Sequence, residues 1–559
     1  MHALTAPLSE LAEIEEICEE RGREPGMLLL SGCVTSQKTH LMYALGKDYG
    51  HTLIVLSSED KAKKLYEEYR FLNENTSYYP AKDLLFYQAD IHGKQLVKQR
   101  METLQMMMEA KSQVTVITTI DGFMDELPSE AEIKGDILTI SNGETLEFES
   151  LKEKIIKLGY DREAQVDGPG QFAVRGGIID IYPLTEELPI RIEFWGDEVD
   201  SIRTFDVDSQ RSVENLEQIV IYPADDRLGS DRKVSFINYF DPKDTLVFLD
   251  EPARLLEKGR LAENEVEKAR ENRAEEMERT GEMEEAPEFF TTDEIIKFLN
   301  KFCMIGMCAL EMKCKPFFVK KRFGIQAKSV NPYNSSFEML TQDLKRLKRN
   351  GYRAVLISGS RTRAKRLAED LRDYDLSSFY SEDQEREVNP GEIMVCYGHI
   401  EVGYEYPMIK FIVISESDIF GKTKKKKKRK SYDGQKISSF SDLKPGDYVV
   451  HENHGLGIYR GIEKVERDKV VKDYIKIEYG DGGNLYLPAT RLESIQKYAG
   501  SEAKKPKLNR LGGSEWTKTR AKVKGAVQEI AKDLVKLYAA RQEQKGFQYG
   551  SDTVWQKEV

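Results

Sequence analysis

The chain has little of what holds small or secreted scaffolds together. Six cysteines (Cys18, Cys33, Cys303, Cys308, Cys314 and Cys396) serve 559 residues, and none has the two-residue spacing of a zinc knuckle or a redox motif. Cys303, Cys308 and Cys314 stand among Met and Phe, so they read as buried thiols and no metal site is expected. No apolar run approaches the roughly 18 residues of a membrane span. The opening Met1-His-Ala-Leu-Thr-Ala6 lacks the basic region and apolar core of a secretory signal. A cytoplasmic chain with no membrane partner is the expectation.

A further absence is local. The apolar run Met27–Leu30 leads into Gly32-Cys-Val-Thr-Ser-Gln37-Lys38-Thr39, where a phosphate-binding loop would sit. Such a loop needs glycine immediately before the lysine, because its amides wrap the phosphates in a conformation that a side chain obstructs. Here that position is Gln37. Leu246-Val-Phe-Leu-Asp250-Glu251 similarly imitates the acidic strand of a nucleotide site. With Gly32, Gln37, Lys38, Thr39, Asp250 and Glu251 as its remnants, the pair reads as a vestigial turn. A weak nucleotide-binding or nucleotide-hydrolysing protein is the alternative.

What is present is enough for several cores: 40% apolar residues over a length that implies roughly three to five domains. The net charge of −12 is unevenly spread. From Lys422 onward there are 31 basic against 18 acidic residues, a surplus of 13, which leaves −25 for residues 1–421. The acidic part is a poor nonspecific nucleic-acid binder. The run Lys422–Lys430 suits a solvated linker more than a DNA site, since no aromatic residue interrupts it for base stacking.

Along the chain, residues 1–135 alternate strand and helix in parallel α/β style, with buried-type strands at Met27–Leu30, Thr52–Leu56 and Val114–Ile117. Residues 136–223 form a β-rich insert. In it Gln171–Arg175 and Ile178–Pro183 flank a double glycine, and Ile190–Arg203 is a hairpin about Gly196-Asp197. Period two turns Ile190, Ile192 and Phe194 inward, so Arg191, Glu193 and Trp195 share the outer face. An exposed tryptophan beside an arginine suggests an interface; packing of Trp195 under a loop is the plainer reading. Residues 224–330 complete the first α/β body, with a charged, solvent-facing helix over Leu255–Met283. Residues 331–421 are expected as a separate small α/β domain without a site of its own.

A basic linker, 422–445, precedes a module at 446–510 that reads as a small barrel of four or five antiparallel strands. Ile475, Ile477 and Tyr479 point one way in it and Lys476 and Glu478 the other, with Lys476 and Glu478 expected as the exposed set. Residues 511–559 carry a helix capped by Ser514, with Val523, Val527, Ile530, Leu534 and Leu537 at helical spacing.

Two strings carry a family resemblance. DYVVHENHGLGIYRGI (447–462) with DYIKIEYGDGGNLYLP (473–488) resembles the RNA-polymerase-interacting module shared by CarD proteins and bacterial transcription-repair coupling factors. GPGQFAVRGGIIDIYP (168–183), PIRIEFWGDEVDSIRTFD (189–206) and QRS (210–212) resemble the UvrB-homology region of the same coupling factors. The resemblance implies a UvrB-like degenerate P-loop body, a UvrA-binding insert and a CarD/Tudor-like barrel. It places UvrA contacts on Arg175, Arg191 and Trp195. It also implies docking on the β subunit of RNA polymerase by strand addition at Tyr474, Ile475, Lys476, Ile477, Glu478 and Tyr479.

The family's ATP- and Mg-dependent, DNA-translocating motor finds no counterpart in these 559 residues, so neither cofactor nor catalytic residue is expected, and DNA contact would belong mainly to that motor. The expected role is an N-terminal adaptor portion in transcription-coupled nucleotide-excision repair. In full-length members the UvrA surface is masked by a C-terminal domain, so this chain is expected to be constitutively open. A stand-alone CarD-like transcription regulator is a further alternative. It leaves the UvrB-like half without a purpose.

Overall fold

Apolar runs with no alternate polar position need cover on both faces, which a parallel sheet inside helices supplies. In the computed structural model the three expected runs lie in one seven-stranded parallel sheet. Its order is Val319–Gly324, Gly26–Ser31, Cys303–Met307, Thr245–Asp250, His51–Leu56, Val114–Thr119, Thr76–Tyr78. The structure describes residues 2–22, 24–82, 94–207, 209–225, 233–280, 288–311, 313–383, 385–421, 434–436, 443–451, 454–467, 470–480, 482–488, 492, 494–498, 506–510 and 516. The contacts divide the chain into two compact units: residues 1–87 with 94–430, and residues 88–93 with 431–559.

In the larger unit, strand alternation sorts the sheet's side chains into two cores. Met27, Leu29, Leu53, Val55, Val247 and Leu249 face a core shared with Ile179, Ile181, Ile190 and Ile192 of the β-rich insert. Leu28, Leu30, Ile54, Leu56, Leu246 and Phe248 face the opposite one. The insert is a six-stranded sheet in the order Ser212–Leu216, Glu198–Phe205, Ile190–Trp195, Ile178–Ile181, Gln171–Arg175, Asp161–Arg162. Helix Phe148–Lys157 was not foreseen in this β-rich stretch.

The second core corrects one expectation. Residues 331–421 do fold as an α/β layer, with the sheet order Lys328–Ser329, Tyr404–Tyr406, Phe411–Ser415, Arg353–Ser358, Ile393–Tyr397, Ser378–Tyr380. One face of that sheet is covered by its own helices, Phe337–Arg349 and Arg361–Arg372. The other face, with Val355, Ile357, Met394, Cys396 and Val413, packs into the core of the N-terminal body. The layer is therefore not separate: its strands have two apolar faces and only one set of helices, so the second face is buried against the first domain.

The smaller unit is an antiparallel sheet in the order Gly434–Lys436, Ile495–Tyr498, Tyr448–His451, Gly455–Arg467, Val470–Glu478, Asn484–Pro488. Six strands replace the four or five expected, because Gly434–Lys436, assigned to the linker, pairs with Ile495–Tyr498. Among the described residues no ladder joins the first strand to the last, so the sheet is open by pairing and not a closed barrel. Its core is Val449, Tyr459, Ile475, Ile477, Tyr479, Leu487 and Ile495. The run Lys422–Lys430 and the helix expected after Ser514 lie outside the described residues, apart from Trp516.

Candidate docking sites and a filled phosphate-binding turn

The insert's outer face is organised by a residue the sequence reading missed. Asp180 alternates outward between the core residues Ile179 and Ile181, yet it is only 1% exposed because two guanidiniums roof it. Arg191, its cross-strand partner in register, donates from Nε at 2.7 Å and Nη2 at 2.9 Å. Arg175, at the end of the next strand, donates from Nη2 at 2.6 Å. A buried carboxylate costs several kcal/mol unless paired, so Asp180 fixes both arginines.

Bonding to Asp180 raises the Arg191 pKa above its ordinary value, and its guanidinium stacks 4.5 Å from the Phe205 ring centre. Trp195 stands at the end of the strand, 82% exposed, beside the Gly196 turn at φ +65°. Glu193 pairs with Arg203 and Ser201, not with Arg191. Arg175, Arg191 and Trp195 thus all fall in this one small sheet. Asp180 emerges only once Ile178–Ile181 is paired with Ile190–Glu193, which no local pattern in the sequence supplies.

In the smaller unit the expected facing holds. Ile475, Ile477 and Tyr479 are buried, while Lys476 and Glu478 turn outward into cross-strand pairs with Glu463 (2.7 Å) and Arg460 (2.6 Å). Arg460 is the extra residue of a bulge at which Gly461 adopts φ +109°. Tyr474 is buried despite sharing the outward parity.

The expected edge does not hold. Tyr474–Glu478 pairs with Gly455–Arg467 on one side and with Asn484–Pro488 on the other. The chain turns back at once through Gly480–Gly483, and the returning strand covers the whole segment. Among the described residues the free edge on this side is Asn484–Pro488, with Tyr486 41% exposed upon it. Tyr479 N–H donates to Gly483 O at 2.9 Å, which sets the alternation along this edge. Leu485 and Leu487 turn their amides into the ladder, and Asn484 and Tyr486 turn theirs outward.

The phosphate-binding turn has its polar groups spent internally. Gly32 keeps the left-handed conformation of such a loop, φ +79°, and helix Thr35–Gly46 follows. Gln37 is fully buried. Lys38 Nζ donates at 2.7 Å to both Asp250 and Glu251, and Thr39 donates at 2.7 Å to Glu68. Burial alone would lower the Lys38 pKa; Asp250 and Glu251 reverse it and hold it above its ordinary value. Burial would raise Glu251, but Lys38 keeps it below the usual carboxylate range. Beside the turn opens a cleft of about 610 Å³, in whose lining Lys38, Lys61, Lys64 and Arg254 are matched by Glu68, Asp250, Glu251 and Glu401. That balance leaves no net positive charge to attract a triphosphate.

Of the three thiols expected to be buried, Cys308 and Cys314 are, whereas Cys303 is only half-buried; Cys33 is buried as well, and burial pushes its thiol up to about 12. Among the described residues no helix is long and apolar enough to cross a membrane.

Comparison with known proteins falls on the same segments. Residues 138–226 match the UvrB interaction domain, and residues 443–499 match the CarD-like/TRCF RID domain. The transcription-repair-coupling factor of Bacillus subtilis (strain 168) is 30% identical over 95% of this chain and 50% of its own length. Those of Staphylococcus haemolyticus (30%, 95% of this chain) and Staphylococcus epidermidis (28%, 98%) align over 50% and 51% of theirs. The chain spans about half the length of the curated relatives it matches. The chain is thus similar to the transcription-repair-coupling factors over nearly all its own length and about half of theirs, and both domain matches fall within the aligned part.

Proposed function

We propose that this chain acts as the docking portion of a transcription-repair coupling factor: its CarD-like module binds the β subunit of stalled RNA polymerase, and its UvrB-like insert recruits UvrA. The observation that carries the reading is that the two matched domains lie in two different compact units. Each has an outward face of its own. A clamp of two arginines with an exposed tryptophan has the composition of a binding hot spot, and an open strand edge can accept a partner's strand. Displacement of polymerase by ATP-driven translocation is part of the proposal only for the longer relatives.

The proposed UvrA contacts are Arg175, Arg191 and Trp195. Strand addition is reassigned from Tyr474–Tyr479 to the Asn484–Pro488 edge, with Lys476 and Glu478 on the adjoining outer face. Nucleotide hydrolysis through Lys38, Thr39, Asp250 and Glu251 is the weaker reading, since Lys38 is neutralised by the two acids.

Pull-downs with purified UvrA and polymerase test the proposal. Combined Arg175→Ala, Arg191→Ala and Trp195→Ala abolishes UvrA capture and leaves polymerase capture unchanged. Retained UvrA capture by a folded triple variant would sink the assignment of that face.

A further inference from the structure

The phosphate-binding turn is unused by either docking surface, yet its polar side chains are hydrogen-bonded within the larger unit. Gln37 Oε1 accepts the Val34 N–H at 3.0 Å, and its Nε2 donates to the Tyr406 hydroxyl at 3.1 Å. Tyr406 lies 3.0 Å from His40 Nδ1, and His40 Nε2 lies 2.6 Å from the Leu4 carbonyl. A carbonyl oxygen can only accept, so Nε2 carries the His40 proton. Nδ1 then accepts from Tyr406, whose oxygen accepts from Gln37. The directions close into one relay, Gln37 to Tyr406 to His40 to Leu4, with Gln37, His40 and Tyr406 all buried.

The neighbouring residues of the turn engage the same stretch of the small α/β layer. Ser36 Oγ accepts the Val402 N–H at 3.2 Å and donates to Glu68 at 2.8 Å. Glu68 in turn accepts from Thr39 and from the Glu401 amide. Ser36, Gln37 and Thr39 therefore all reach residues 401–406, directly or through one carboxylate. In a nucleotide site this same turn would hold phosphate and its metal.

We infer that the turn has been reassigned as an intramolecular socket, whose side chains hold residues 401–406 of the small layer and lock that layer to the N-terminal body. Gln37 is then the positioning residue of the latch and not a mere loss of glycine. Its amide is the one group in the turn that both closes the local loop at Val34 and crosses to Tyr406. A buried network of this kind is costly to break singly, because each deletion strands a partner that water cannot reach.

Two variants of the full chain separate this from a decayed nucleotide site. Tyr406→Phe removes only the hydroxyl, and Gln37→Gly restores the glycine of the motif. Both are expected to raise amide hydrogen exchange across residues 398–406 and 35–40 by about tenfold or more, with the double variant no faster than the more affected single one. Neither is expected to shift in melting temperature with millimolar ATP and Mg. Additive exchange effects in the double variant, or unchanged exchange in Tyr406→Phe, would overturn the latch. So would ATP-dependent stabilisation gained by Gln37→Gly, which would mean that the glutamine only blocks a surviving site. UvrA and polymerase capture are not part of the readout, so the inference stands or falls apart from the docking proposal.

Discussion

At the scale of single residues, the exposed tryptophan and the buried aspartate of the insert make opposite predictions. Trp195 has almost no packing to lose, so Trp195→Ala should change stability by no more than about 0.5 kcal/mol while weakening UvrA capture severely. Asp180 is buried beneath its two arginines and offers no surface of its own, yet Asp180→Asn leaves Arg191 largely buried without its counter-charge. A loss of about 3 kcal/mol is expected, discounted for Arg175, which is about half exposed and can turn to water. UvrA capture by Asp180→Asn should fall with it even where the variant remains folded, because both arginines lose their shared carboxylate and Arg191 keeps only Gln210 and the Phe205 ring. Urea denaturation with parallel pull-downs checks both; normal capture by a folded Asp180→Asn would show that the arginines need no clamp.

At the scale of elements, the sequence was informative wherever a local pattern decided the outcome. Continuous apolar runs marked Gly26–Ser31, His51–Leu56 and Val114–Thr119, and strict alternation put Lys476 and Glu478 outside. Pairing between distant strands was not legible. Nothing in Tyr474–Tyr479 itself says whether it is an edge, since that depends on a turn and a strand that follow it. Gly434–Lys436 reads as linker until Ile495–Tyr498 is placed beside it. The same limit hid Asp180, whose partner lies on the next strand.

The corrected pairing changes the decisive experiment on polymerase docking. Proline at Lys476 would enter an interior strand and break the sheet, so loss of binding there would be uninformative. On the free edge, Tyr486→Pro removes an outward amide and should leave the fold intact while abolishing polymerase capture. Leu485→Pro removes a ladder amide and should unfold the module. Normal polymerase capture by a folded Tyr486→Pro would exclude strand addition at this edge.

At the scale of the whole molecule, the shared core of the N-terminal body and the small layer means that the larger unit should unfold as one, with His40 adding a pH term of known sign. Burial pushes the His40 pKa down from 6.5 to about 4, partly offset by its bond to Leu4 O, and Tyr404, Tyr406 and Phe411 are the rings around it. Below pH 6.5 the unfolded chain takes up a proton at residue 40 that the folded chain refuses until about pH 4. Stability therefore falls as pH drops through that window and is flat, as far as His40 is concerned, above it. The depression is worth roughly 3 kcal/mol by pH 4. Glu68 acts in the opposite sense: burial raises its pKa, so its contribution is present at low pH and lost as pH rises. A comparison with His40→Gln isolates the histidine, since Glu68 and the other titrating groups are common to both chains. Urea midpoints of the larger unit should converge between the two chains as pH falls from 7 to 4, the wild type losing more. Parallel pH profiles would mean that His40 is not buried neutral between the two layers, and that the latch around it does not hold them together.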